Sequence, residues 1–291
     1  MLGFGSAAAD SLALSACVSF LFVTGLYLAK ALARWGHVRA EFADPVSMQS
    51  FPTLTISLLL LALVLRPYQP ALAISLWLAG AAAHLVLMIA MIRRWILDTF
   101  PVGTFSPVWF LSVGGTMVAA MTGVQLGFVE LSWFFLSSGL VTCAAMFSIA
   151  MYRLIFHDRL PAALAPSLFI LLTPPSAAFL AYMQLGDGRL DVLARILFFS
   201  ALFVAAILAG LTPMFLRVKF SLSWWAYTFP SAALTMAVLR YHEIMASNGS
   251  LLLVLVILPI AGLLFLATCM RTMAWLVSLL RAGTPGIRHP R

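Results

Sequence analysis

The stretch SWWAYTFPSAAL, Ser223–Leu234, decides how this chain is read. It lies inside a run apolar enough to cross a membrane, yet Pro230 sits near its middle, flanked by Thr228, Phe229 and Ser231. A proline within a helix removes a backbone hydrogen bond and clashes with the preceding turn. In lipid, irregular backbone survives only where protein buries it or where it borders a water-filled cavity. Small and hydroxylated residues around such a break point either to close helix packing or to the wall of a passage. Whether the pattern recurs is what separates the two.

Of the 291 residues, 63% are hydrophobic and 9% are charged, where a soluble domain carries about 25% charged residues. The chain is therefore an all-α integral membrane protein, because helices pair every backbone polar group within lipid. About 20 apolar residues cross the hydrocarbon core. Nine runs qualify, at approximately 11–33, 47–65, 70–92, 106–126, 130–152, 163–184, 191–215, 222–241 and 250–270. The short connections leave room for one transmembrane domain, residues 1–280. The polar tail 281–291, with its Gly and Pro, is expected to be disordered.

Thirteen of the 17 Lys and Arg residues fall on one side of these runs, among them Lys30, Arg94, Arg153 and Arg217. The positive-inside rule makes that side cytoplasmic, together with the C-terminus, and leaves Met1 outside. The net charge of +8 is thus read as topology, and no nucleic-acid partner is expected. The partner is the lipid bilayer, and the location a cell membrane crossed many times. Cys17, Cys143 and Cys269 lie in apolar runs with no metal-ligand spacing. No nucleophile–base pair, metal cluster or phosphate loop stands out, so neither an enzyme nor a cofactor or metal is expected.

The second, fourth, sixth and eighth runs contain breakers, in SFPTLTIS, LSVGGTMVAAM, LLTPPSAAFL and YTFPSAAL. The third, fifth and seventh are more uniformly apolar. Pro52, Ser112, Pro175 and Pro230 follow one another at intervals of 60, 63 and 55 residues. That spacing predicts a repeated hairpin of one broken and one continuous helix, with the broken helices parallel. Pro52, Thr53, Ser112, Gly115, Thr173, Pro174, Pro175, Ser176, Thr228, Pro230 and Ser231 are the candidate kink and lining residues. The broken helices carry no Asp, Glu, Lys or Arg in their middles, where a proton relay or cation site would show carboxylates. A passive anion path and ordinary small-residue packing both remain open on these grounds. His84, in a continuous run, is expected to hydrogen-bond a neighbouring helix.

FSLSWWAYTFPSAALTMAVLRYHE, Phe220–Glu243, resembles the penultimate helix of the tellurite-resistance/dicarboxylate transporter family, which includes plant slow-type anion channels and bacterial tellurite-resistance homologues. VRAEFADPVSMQSFPTL, Val38–Leu54, and APSLFILLTPPSAAFLAY, Ala165–Tyr182, resemble two further segments of that family. SPVWFLSVGG, Ser106–Gly115, fits more loosely, with Ser112 where a proline is often found.

The resemblance implies a fold of ten helices in five hairpins around a central pore, assembled as a homotrimer. Nine helices are visible, and the first has no counterpart; an upstream apolar segment is expected. It further implies a gated channel or transporter for small inorganic or organic anions, with Phe229 as the pore gate. The alternatives are a secondary transporter or exporter of C4-dicarboxylates, sulfite or tellurium oxyanions, and a nonconducting membrane scaffold.

Overall fold

The computed structural model describes residues 4–281, with side chains from residue 7 onward. Every regular element among the described residues is helical. The long helices are α1 (Phe4–Ala33), α3 (Pro52–Leu65), α4 (Pro70–Leu97), α5 (Phe110–Gln125), α6 (Val129–Phe156), α7 (Thr173–Leu185), α8 (Val192–Gly210), α10 (Thr228–Met245) and α11 (Asn248–Arg281). Two short helices, α2 (Trp35–Ala43) and α9 (Thr212–Phe215), lie between them.

Among the described residues, eight helical segments are long and apolar enough to cross a membrane. The segment carrying α10 is less apolar, because Arg240, His242 and Glu243 lie toward its C-terminal end. It needs less apolar surface, since the protein buries much of it: Pro230, Ser231, Leu234, Ala237 and Val238 are all inside. The run 191–215 divides in two. α8 stops at Gly210, and Pro213, in the first turn of α9, cannot extend the α8 ladder. The last run extends well past residue 270, since α11 continues to Arg281 through Pro259. The predicted tail beyond Arg281 lies outside the described residues.

Burial sorts the helices only in part into the two kinds predicted. In the most apolar stretches of the α5 and α7 spans 78% of residues are buried, against 33% in α4 and 28% in α6, while α3, at 39%, lies closer to the continuous helices. α3 packs on α5, α5 on α7 and α7 on α10, so the four breaker-bearing helices form one contiguous row. Behind them, α4 pairs with α3, α6 with α5, α8 with α7 and α11 with α10. Among the described residues, no comparable packing joins α10 back to α3. The outer helices present Val86, Val141, Phe203 and Leu263 outward, as lipid-facing surfaces do.

Glycine sets how closely the layers approach. α4 buries Ala73, Trp77, Gly80, Ala81, His84 and Met88 along one face, the spacing of a single helical stripe. Trp77 and His84, two turns apart, lie over Gly123 and Gly115 of α5, where an added Cβ would overlap each ring. The Trp77 indole N–H lies 3.1 Å from the Ala119 carbonyl and 3.0 Å from the Thr122 hydroxyl. On the other side of the row, Phe198 of α8 stacks on Tyr241 of α10 at 3.9 Å. Without a hydrophobic force between helices in lipid, such packing and hydrogen bonds hold the bundle together.

Candidate functional site

Each helix of the inner row is preceded by a tighter 3₁₀ segment: Ser47–Ser50 before α3, Pro107–Trp109 before α5, Ala162–Leu172 before α7 and Leu222–Tyr227 before α10. Basic residues shortly precede each of the four in sequence: Arg39, Arg94, Arg159 and Lys219. The residues at the changeover, Phe51, Trp109, Leu172 and Tyr227, keep right-handed helical backbone angles. The chain turns through the junction without opening.

The prolines therefore do not sit inside α-helices. Pro52, Pro174, Pro175 and Pro230 occupy the first α-turn, where a missing N–H costs little and the fixed φ suits the helix. What the sequence presents as a break in mid-span is a change of helix type. Ser112 lies in the first turn of α5, just after its own 3₁₀ segment, with no proline at its position. The nearby hydroxyls bond to their own helices at these turns. Thr53 donates to the Ser50 carbonyl at 2.6 Å, Ser112 to Trp109 at 2.9 Å and Thr228 to Trp225 at 2.8 Å. Ser231 donates to the Tyr227 carbonyl. Ser176, at the matching place in α7, is fully buried with no hydrogen-bond partner.

These residues do not all gather round one open space. Ser112, Thr173, Ser176 and Ser231 are buried against protein, as are Pro52, Gly115, Pro174 and Pro230. Pro175, Thr228 and Phe229 are half-buried, and Phe229 packs against the main core. Gly114 brings α5 close to α7: a Cβ there would meet the Thr173 methyl at 3.2 Å. The 3₁₀ segments before α7 and α10 are tied by Ser223, which donates to the Ala163 carbonyl at 2.6 Å, and by edge-to-face packing of Phe169 on Tyr227 at 4.8 Å. The row is thus tightly packed at the level of its junctions.

An open groove of about 740 Å³ lies elsewhere, between α1 and α3. Thr24, Tyr27, Phe51, Thr53 and Ser57 line it, and Thr53 alone of the predicted lining residues reaches it. Phe51 precedes Pro52 as Phe229 precedes Pro230, but Phe51 is the N-cap of α3 whereas Phe229 is the second residue of α10. At its basic end the groove closes on an ion pair of Lys30 with Glu41. The hydrogen bond from Lys30 holds the Glu41 carboxyl below its ordinary value.

The sequence predicts that His84 hydrogen-bonds a neighbouring helix, and the structure joins it to two of them, at their junctions. Its ring is fully buried. Nδ1 lies 2.7 Å from the Thr55 hydroxyl of α3 and Nε2 lies 2.9 Å from the Ser112 carbonyl of α5. The available signal was positional: His84 and Trp77 share the buried stripe of α4. Within the described residues of α3, α5 and α7 there is no acidic or basic side chain. In α10 the pair Arg240–Glu243, 2.9 Å apart, sits toward the C-terminal end. Among the described residues no group of His, Cys, Asp and Glu is placed to hold a metal.

Comparison with known proteins bears on this arrangement. The family profile SLAC1, voltage-dependent anion channel, matches residues 6–274. The S-type anion channel SLAH3 of Arabidopsis thaliana is 30% identical over 255 residues, 87% of this chain and 40% of that protein. The guard cell S-type anion channel SLAC1 of the same plant is 26% identical over 268 residues, 89% of this chain and 48% of its own length. The tellurite resistance protein TehA homolog of Haemophilus influenzae is 22% identical over 236 residues, covering 80% and 72% of the two chains. This chain spans less than half the length of those two plant relatives.

Proposed function

The chain belongs to the SLAC1 family of voltage-dependent anion channels, and from that premise we propose that it passes small anions across a membrane along the row of α3, α5, α7 and α10, with Phe229 as the gate. The observation that carries the reading is the repeated 3₁₀-to-α junction on four adjacent helices without a fixed acidic charge between them. A carboxylate there would repel an anion. The basic residues of the side from which these helices start would raise the local concentration of anions.

Phe229 suits a gate because it is large, apolar and half-buried at a junction. An anion stripped of water against hydrocarbon meets a heavy desolvation cost. The Ser176 hydroxyl, without a partner in its own helix, supplies a donor that a passing anion could accept from. Assembly as a homotrimer, each copy with its own passage, and a cytoplasmic C-terminus belong to the same proposal. Mild cross-linking and side-specific labelling of Arg217→Cys test them respectively.

The deciding measurement is anion current in planar bilayers at equal incorporated protein. Phe229→Ala raises current well above the parent and Phe229→Trp stays closed. Unchanged or reduced current in the alanine variant removes Phe229 as the gate. Repeating the flux with and without a pH gradient separates a channel from a proton-coupled carrier.

A further inference from the structure

We propose that His84, on the outer helix α4, is a positioning residue that clasps α3 to α5 at their junctions and thereby sets the geometry of the anion passage. This rests on the reading above that the inner row bounds the passage. The hydrogen bonds fix the chemistry of the clasp. A carbonyl only accepts, so Nε2 carries the proton toward Ser112. In the neutral ring Nδ1 is then an acceptor, and the Thr55 hydroxyl is the donor that faces it. Thr55 also lies 2.9 Å from the Pro52 carbonyl. The single hydroxyl proton goes to His84, because the lone pairs of Nδ1 and the hydroxyl oxygen would repel at 2.7 Å without it, whereas the Pro52 carbonyl also accepts within the α3 ladder. One uncharged ring thus satisfies both its nitrogens across two different helices.

The location gives the clasp its consequence. Thr55 is three residues past Pro52 and Ser112 is in the first turn of α5, so both contacts fall at the changeover from 3₁₀ to α. Gly115 provides the window that admits the ring, and neighbouring Gly114 lets α5 approach Thr173 of α7, leaving little more room than the missing methyl. A shift of the His84 ring would therefore be felt along α3, α5 and α7. Trp77 makes its polar contacts with α5 at Ala119 and Thr122, away from the junctions.

The test uses the full chain with its cysteines replaced, carrying Phe229→Ala so that flux can be read. Spin labels at Ser50 and Val108 report the spacing of the 3₁₀ segments that lead into α3 and α5. Thr55→Val and His84→Phe keep the volume and delete hydrogen bonds. Each is expected to weaken the dipolar broadening between the labels and to lower anion flux about fivefold or more, the scale of losing one buried hydrogen bond. His84→Gln, which keeps a donor and an acceptor, restores both readouts toward the parent, whereas a space-filling role would be met by phenylalanine. Should His84→Phe fail to accumulate, Thr55→Val decides alone. Parental broadening or parental flux in Thr55→Val overturns the clasp while leaving the gate intact. A Phe229→Ala channel that carries no current removes Phe229 as the gate, and the dipolar broadening, which needs no flux, then decides the clasp alone.

Discussion

The contact between α4 and α5 and the contact between α1 and α3 are both helix pairs in the same bundle, and they could hardly differ more. Between α4 and α5, Gly115 and Gly123 remove the obstacle of a Cβ, and His84 and Trp77 fill the two windows with hydrogen-bonded rings. Between α1 and α3 no ring is inserted in this way, and a groove of about 740 Å³ remains. None of the residues in the most apolar stretch of α1 is buried. Hydrophobicity places both helices in the membrane, but it does not make them pack. Packing in lipid follows from shape and from polar groups that find partners on another helix.

The contrast can be broken most forcefully at Trp77. Trp77→Ala empties a fully buried site and is expected to cost about 3–5 kcal/mol of stability, measured as a loss of folded protein in denaturant titrations in micelles. Gly115→Ala attacks the same interface from the other side. Its methyl overlaps the His84 ring, and the expected cost is about 1–3 kcal/mol, typical of overpacking. Retention of full stability would mean that α4 and α5 can separate freely. On α1 the same substitution should be nearly silent. Nothing lies within 4 Å of a Cβ at Gly25, so Gly25→Ala should change stability by no more than about 1 kcal/mol, the range of helix propensity alone. A cost like that of Gly115→Ala would mean that α1 has a partner on that face.

Thiol labelling sharpens the comparison without altering stability. In a background without native cysteines, Thr53→Cys, which lines the groove, is expected to react with a membrane-permeant maleimide. Thr116→Cys, fully buried on α5, should stay unmodified on the same timescale. Equal labelling at both positions would mean that the inner row opens readily. The smallest expected change is at the outer surface, where Asp191 caps α8 by accepting from the Ala194 N–H at 2.9 Å. That backbone bond leads the causes that hold the Asp191 carboxyl below its ordinary value. Its contribution is therefore present above the unfolded-state value and is lost as pH falls through the lowered one. Asp191→Asn should flatten that acid-side dependence and leave neutral-pH stability nearly as it was.

Much of this organisation is visible in the residues. The alternation of broken and continuous runs anticipates the inner row and the outer layer, and the intervals between Pro52, Ser112, Pro175 and Pro230 anticipate the hairpins. The helix type at the junctions was hidden, because a proline in the first turn of a helix and one at a kink look alike in sequence. The motifs TPPS at Thr173 and TFPS at Thr228 make the same point: Ser231 bonds to its own helix and Ser176 does not. His84 was legible as a hydrogen-bonding residue but not as a bridge between α3 and α5, since both partners are remote in sequence.

The sequence by itself determined that the chain lives in a bilayer, how its apolar runs divide into two kinds and which side bears the positive charge. Each of these follows from the exchange of local segments between water and lipid, which depends on nearby residues alone. The tertiary structure decided which glycines become windows, which hydroxyl is left without a partner and where the open groove lies. Those outcomes depend on atoms brought together from distant parts of the chain, and a packing gap or an unmade hydrogen bond exists only once its neighbours are in place.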